Sequence, residues 1–510
     1  MRTPILATGL ALALAATTLT GCSESAPVAT EAQAAEIAWR HGDVEDALAE
    51  AKETGKPVLL YWGAEWCPPC AEMKAGLFKD PNFIAKTQDF IPVYLDGDTA
   101  GAQKWGDRFG TSGYPTVIAL APDGSEITRI SSATMASELP ALLTLAAGRT
   151  RSIDAVLADA KADPATLSAE DWKILAGFDW GNDPKRFEEG KAEGEMLDTL
   201  ARNAPDPAMR SRFALLSLAR LAARDGDGKV TLTDAQAETV EGVLPGILGA
   251  PQQVMANRDV LSYYAPGMVL ALPGGEAKED LTALLDKALE GLVADTNLSL
   301  AERTFALSAR VDLTDEAPGE PLKAEVRKWA AIVDKQASDA LVRKSVISYA
   351  AELLDQIGDR KAAKDMLLAE IDRSETPYYY MLGLAAMAED EGDKAAAIDW
   401  ARKAYEASEG PATRVQWAAG YALRVMRLTP EDRDAVKASS EAVLAELAKS
   451  PDNYYQRTQS VADRWGTALV AWAKEHDGAA VLDSLGTRMA DVCAKQTEKT
   501  DTCGSWFKAA

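Results

Sequence analysis

The sequence predicts an α/β domain over residues 38–149 followed by a large all-α region of helical hairpins. Three observations predict it. A continuous apolar run, Val58-Leu59-Leu60-Tyr61-Trp62, stops shortly before Cys67-Pro68-Pro69-Cys70, as a strand buried on both faces would before a helix. After Gly148, alanine, leucine and charge recur at helical spacing and β-branched runs all but vanish. A segment beginning Gly358-Asp359 returns 34 residues later at Gly392-Asp393. The 510 residues suffice for about three domains. With 47% hydrophobic and 26% charged residues, the chain has the makeup of a globular protein. Asp and Glu outnumber Lys and Arg 78 to 54, for a net charge of −24. That balance repels a phosphate backbone and an anionic lipid surface, which argues against nucleic-acid binding and electrostatic membrane docking.

Residues 1–21 have the form of a signal peptide: Arg2, an apolar run from Ile5 to Leu19, then small residues. The run, of about 15 residues, is short for a membrane span. Leu19-Thr20-Gly21-Cys22 resembles a bacterial lipobox, which implies lipidation of Cys22 and a periplasmic fold. Ser23 resembles an outer-membrane sorting residue. Residues 22–37 are small and polar and read as a lipidated tether. The periplasm permits disulfides.

The elements of the first domain then follow in order. Asp43 to Thr54 predicts a helix, capped by Asp43, with Val44, Ala47, Leu48 and Ala51 as its apolar stripe. Gly55-Lys56-Pro57 ends it before the strand over 58–62. Trp66-Cys67-Pro68-Pro69-Cys70 opens a helix through Lys74, and a further helix fits Pro81 to Gln88. Phe90 to Leu95 reads as a strand and Gly101 to Phe109 as a helix. Gly113-Tyr114-Pro115-Thr116 turns into a strand ending at Leu120, and Pro122-Asp123-Gly124 makes a hairpin to Glu126–Ile130. Met135 to Ala147 closes the domain with a helix.

A cysteine at a helix N-terminus meets the positive end of the dipole and free N–H groups, which stabilise a thiolate. Cys67 is therefore the predicted nucleophile, with Cys70 one turn further in and able to resolve a mixed disulfide. Strand-Trp-Cys-Pro-Pro-Cys-helix, with Gly-Tyr-Pro-Thr about 45 residues later, resembles the thioredoxin fold. The stretch from Ala64-Glu65-Trp66-Cys67 to Phe78-Lys79-Asp80-Pro81 resembles the periplasmic branch that includes the C-terminal domain of the Dsb-type transmembrane reductase. Trp-Cys-Pro-Pro-Cys also resembles the thioredoxin-like reductants of cytochrome c maturation. The resemblance implies that Trp66 covers one side of the site. It also implies that Pro115 is a cis proline and that Tyr114 offers its backbone to an extended substrate.

The family keeps a buried acid six residues before the first cysteine; here that position is Tyr61. Either resolution is slower, or Tyr61 or Glu65 takes part through water. Pro68 and Pro69 have no N–H, which leaves Cys70 N–H as the main donor near the Cys67 sulfur. A less stabilised thiolate makes a more reducing couple, so the expected direction is reduction of protein disulfides, fed by a transmembrane electron donor. The same cysteines run backwards would make an oxidase or isomerase. An adaptor built on the helical region is the reading from another class. No cofactor and no metal is expected: a zinc site would need a second Cys pair or histidines nearby, and the only two histidines, His41 and His476, read as structural or surface.

The rest divides into an α-helical region over 150–335, tetratricopeptide-like repeats over 336–425 and a C-terminal helical region over 426–510. Capping boxes pair Ser168 with Asp171, Thr233 with Gln236 and Ser299 with Glu302. The 34-residue offset matches Ala362 with Ala396, Ala363 with Ala397, Leu353 with Met387 and Pro377 with Pro411. It is the tetratricopeptide period, and similar hairpins in an unrelated α-domain are the alternative. Such arrays offer a face to a protein partner. Glu370 stands where the second unit has Ala404 and a small residue is usual. Tyr378-Tyr379-Tyr380 cannot all face one groove, because successive helical residues point about 100° apart; one or two are expected to pack between hairpins. Asp225-Gly226-Asp227-Gly228 partly matches a calcium loop, but a plain helix–helix turn is the expectation. Cys493 and Cys503 are expected to form a structural disulfide, stabilising by roughly 3 kcal/mol on the chain-entropy model; a second redox centre is the alternative.

Overall fold

Five strands form one mixed sheet in the order β1-β3-β2-β4-β5. In this computed structural model the residues described are 36–508, apart from 43, 132–136, 184–185, 188–190, 227, 315–316, 451 and 500. The signal peptide, Cys22, Ser23, most of the tether, the Asp43 cap, Met135 and Asp227 lie outside them. The strands are β1 (Arg40–His41), β2 (Val58–Gly63), β3 (Ile91–Asp96), β4 (Thr116–Leu120) and β5 (Glu126–Ile130). β2 runs parallel to β3 and antiparallel to β4, and all six of its residues are buried. It is the central strand, so it carries no polar face. The edge strand β1, which the sequence pattern does not show, is two residues long and pairs with β3.

Helices α1 (Val44–Thr54), α2 (Pro68–Ala75), α3 (Pro81–Thr87), α4 (Ala100–Phe109) and α5 (Leu139–Ala147) complete this part. Local chemistry places each start. Asp80 accepts the Asn82 and Phe83 N–H groups at the head of α3, and Thr99 accepts Ala102 N–H at the head of α4. Gly110, at φ 64°, closes α4 in the left-handed conformation that a side chain would oppose.

From Ile153 onward the chain is almost entirely helical. All three expected capping boxes are formed. Between the helices Pro207–Leu221 and Asp234–Leu248 the expected plain turn is instead a small hairpin: Ala223–Arg224 pairs antiparallel with Val230–Thr231. The physical reason is local. Asp225 Oδ1 accepts Lys229 N–H at 2.8 Å, and Gly228 takes φ 81°. Among the described residues no group of three or more His, Cys, Asp or Glu is placed to hold a metal ion.

The Gly-Asp segments make the inter-helix turns of two successive hairpins, Ala340–Gln356 with Arg360–Ile371 and Tyr378–Asp390 with Lys394–Ala407. Gly358 and Gly392 have φ of 84° and 77°, the left-handed turn that only glycine adopts freely. Glu370 has a specific reason to replace a small residue: it is buried and ion-paired to Arg343, whose Nε lies 3.1 Å from Oε2. A third pair, Pro411–Leu428 and Arg433–Lys449, follows, then Gln456–Glu475 and Ala479–Cys493. Cys493 and Cys503 are disulfide-bonded, with Cα atoms 5.6 Å apart.

The principal apolar core does not break near residue 150. It runs from Leu59 through Ile153 and Leu215 to Met387, and Met73 of α2 belongs to it with Val346, Ile347 and Ala350. A second core, from Val415 to Trp506, contains no residue of the first 149.

Candidate active site

Cys67 is the N-cap of α2, with Pro68 and Pro69 at its first two positions. Proline fits there because these N–H groups have no helical partner. Cys70 N–H points at Cys67 Sγ at 3.2 Å, and the two cysteines are disulfide-bonded with Cα atoms 5.2 Å apart. The Tyr114–Pro115 peptide is cis, and the Tyr114 carbonyl oxygen lies 3.5 Å from Cys67 Sγ. Ala64, Trp66 and Tyr114 pack on the sulfur pair. Cys67, Cys70, Trp66, Tyr114 and Pro115 are thus brought together.

Tyr61 and Glu65 are placed differently. The Tyr61 ring sits among Trp39, Phe78 and Tyr94, at centroid distances of 5.6, 4.9 and 5.4 Å. Its hydroxyl is buried with no hydrogen-bond partner, and it lies so close over Gly63 that a Cβ there would be 2.5 Å away. Burial pushes the phenol far above its ordinary range, so Tyr61 stays protonated. Glu65 is bonded to Lys74 at 2.5 Å. Burial raises its carboxyl, but the Lys74 hydrogen bond and charge outweigh that and hold it below the usual range.

The sequence pattern does not show that both sulfurs are covered. Cys67 is 1% exposed and Cys70 0%. Trp66 and Tyr114, which pack on the sulfurs, are in turn held by residues hundreds of positions away. Tyr379 stacks on Trp66 at 5.7 Å, nearly parallel. The Arg457 guanidinium lies 4.6 Å from the Trp66 ring centroid and 5.7 Å from that of Tyr114. Its Nε and Nη1 find no oxygen acceptor, and the two ring faces take that place. Gln456 Oε1 accepts the Tyr114 hydroxyl proton at 3.0 Å, and its Nε2 donates to the Thr111 carbonyl at 2.9 Å. Burial raises the Tyr114 phenol to about 12.

Asp98, in the loop after β3, ties these pieces together. It accepts Trp66 Nε1–H at 3.0 Å and Thr413 N–H at 2.7 Å, and pairs with Arg457 at 3.4 Å. Thr413 is in the first turn of the Pro411–Leu428 helix, whose own N-cap, Gly410, has no side chain to offer. Asp98 therefore caps that helix from across the interface, with its charge at the positive end of the dipole. A Cβ on Gly410 would come within 2.7 Å of the carboxylate carbon. The pattern of residues 426–510 contains no signal for Gln456 or Arg457, and nothing in the Tyr378-Tyr379-Tyr380 run singles out Tyr379.

Comparison with known proteins agrees with this geometry. A thioredoxin-like domain model matches residues 44–147. The thiol:disulfide interchange proteins DsbD 1 and DsbD 2 of Pseudomonas aeruginosa are 35% identical over 82 residues and 30% identical over 102 residues. These stretches are 16% and 20% of this chain, and 14% and 17% of the relatives. DsbD of Pseudomonas fluorescens is 31% identical over 86 residues, covering 16% of this chain and 15% of that protein. The chain thus spans less than a fifth of the length of these relatives. Residues 44–147 form a thioredoxin-like domain, similar to a segment of thiol:disulfide interchange proteins and followed here by a large helical region.

Proposed function

We propose that the chain is a thiol:disulfide oxidoreductase that reduces protein disulfides. The observation that carries this is Cys67 at the N-cap of α2, with Cys70 N–H aimed at its sulfur and the Tyr114 carbonyl beside it. In the reduced enzyme the Cys67 thiolate attacks one sulfur of a substrate disulfide. A Cys67–substrate disulfide forms and the other substrate sulfur leaves as a thiolate. Cys70, as thiolate, attacks Cys67 Sγ and releases the second substrate thiol. Two electrons pass from the dithiol to the substrate, and the Cys67–Cys70 disulfide remains. A dithiol on a transmembrane carrier would return the enzyme to its reduced form.

The proline pair supports the reductive direction, because it leaves Cys70 N–H as the main backbone donor to the sulfur. The lipobox-like Leu19-Thr20-Gly21-Cys22 and Ser23 support a lipid-anchored protein on the periplasmic side of the envelope, at the outer membrane. Among the described residues no helix is long and apolar enough to cross a membrane. The hairpins over 340–407 support a protein-contacting role alongside the chemistry. Tyr379 of this array stacks on Trp66, next to the redox pair, which favours an oxidoreductase with a built-in helical partner over a free-standing adaptor.

The test is the reduction potential of the Cys67–Cys70 couple in the purified full chain, equilibrated against glutathione. A value near that of thioredoxin, about −270 mV, is expected. A value well above the glutathione couple overturns the reductive direction. Cys70→Ser should accumulate a Cys67 mixed disulfide with substrate protein, detected by mass; an adaptor would accumulate none.

A further inference from the structure

The two sides of the redox helix meet the helical region in different ways. The back of α2 is fused to the Ala340–Gln356 helix within the principal apolar core. The front, where the sulfurs lie, meets it through one small apolar cluster, in which Trp66 packs with Tyr378, Tyr379 and Trp417, and otherwise through polar contacts. They are Asp98 with Thr413 and Arg457, Gln456 with Tyr114 and Thr111, and Thr458 N–H with Gln103 Oε1 at 2.9 Å. Most of the covering residues stand on helices whose own core excludes the first domain. Polar seams of this kind are the ones that open within chains, since water can replace each bond on both sides. Gln456 also holds a left-handed backbone, φ 38°, at the first residue of its helix. A non-glycine residue keeps that conformation only where surrounding contacts enforce it.

We propose that the C-terminal helices, from Pro411 onward, act as a lid that Asp98, Arg457 and Gln456 latch against the Trp66 and Tyr114 rings packed on Cys67, with Tyr379 as the fixed seat beside Trp66, and that protein-sized partners reach the sulfur only when the lid lifts. This rests on the redox reading of the Cys67–Cys70 pair and adds a regulation to it. The closed form shields the couple from adventitious thiols and disulfides. A partner gains access by binding the open form, which shifts the population toward it.

The test uses the reduced full chain and reads modification of Cys67 by peptide mass, with iodoacetamide as the small probe and a polymer-linked maleimide as the large one. Arg457→Gln and Tyr379→Ala are compared with wild type, each checked by circular dichroism and thermal unfolding. The proposal expects Cys67 of the folded wild type to react at least about tenfold slower than in urea-unfolded chain, and each variant to recover about tenfold, most strongly with the large probe. Equal rates in folded wild type and folded variants overturn the lid. If one variant fails to fold, the other decides. Insulin reduction by the same proteins separates the two proposals. Faster labelling of the variants without insulin reduction by any form upholds the lid and overturns the oxidoreductase. Insulin reduction at one rate in all forms, with equal labelling, does the reverse.

Discussion

One short helix, α2, meets the rest of the molecule by two different kinds of surface. On its back, Met73 lies in the apolar core with Val346, Ile347 and Ala350 of the Ala340–Gln356 helix. On its front, the Trp66 and Tyr114 rings that pack on Cys67 are held by Asp98, Arg457 and Gln456, through directional bonds that water can substitute. Both surfaces exclude solvent, yet they differ in what holds them. Apolar burial is non-directional and is lost all at once when water enters. A polar seam contributes little net energy per bond, about 1 kcal/mol, because each bond replaces one to water. The redox helix can therefore be anchored permanently from behind while its working face is uncovered and covered again.

The largest effect should follow from breaking the back. Met73 is 1% exposed, and Met73→Ala should lower stability by about 2–5 kcal/mol through lost transfer energy and a cavity. Denaturant unfolding would show this as a lower midpoint. Below that midpoint Cys67 should label no faster than in wild type. Faster labelling there would mean that the two faces are mechanically one.

A pH experiment sharpens the same comparison. Glu72 lies on α2 beside Ser299, Glu302 and Arg258, with the Ser299 hydroxyl donating to its carboxylate. Burial is the main cause that raises its carboxyl to about 7, and Glu302 adds to it. The folded state thus holds this proton more tightly than the unfolded state does. Its stabilising contribution is complete below the unfolded value near 4.5 and disappears as pH rises through about 7. The loss amounts to up to about 3 kcal/mol. Glu72→Gln should remove that slope, so the variant should be the more stable protein at pH 8 and show little advantage at pH 4.5. Asp179, also raised to about 7 by burial, is common to both proteins and cancels in the difference. Equal pH profiles for the two proteins would place Glu72 in water rather than buried beside Ser299.

Much of the first domain and of the hairpins was legible in the sequence, and little of what meets the sulfur side from the C-terminal helices. The strand over 58–62, the helix at Cys67, the Tyr114–Pro115 turn and the Gly-Asp hairpins announce themselves through local chemistry: apolar periodicity, caps, and glycine at left-handed turns. Asp98, Gln456 and Arg457 obey no local rule. Each is an ordinary polar residue on a loop or at a helix start, and its meaning comes from a partner more than 300 positions away. Tyr379 shows the limit well. Helical geometry says that the three tyrosines of the run diverge, and Tyr378 and Tyr380 are the two buried between hairpins. The same geometry cannot say that the remaining direction leads to Trp66. Glu370, anomalous as a repeat residue, is explained only by Arg343 across the hairpin.

The smallest expected effect on stability is at the front, and it discriminates most sharply between the two kinds of surface. Asp98→Ala removes an acceptor for Trp66 Nε1–H, the cap of the Pro411–Leu428 helix and the partner of Arg457. A lost cap and part-buried hydrogen bonds together should cost about 1–2 kcal/mol. That is less than the Met73 cavity, although Asp98 makes more named contacts. The reason is that neither apolar core loses an atom, and the space the carboxylate vacates lets water reach the groups left behind. The loss should also be local: the unfolding midpoint shifts slightly, while hydrogen exchange at the first turn of the Pro411–Leu428 helix and around Trp66 rises steeply. A global loss as large as that of Met73→Ala, with exchange rising evenly over both cores, would show that the front is welded as firmly as the back, and that partners must then reach Cys67 by some route other than a lifting lid.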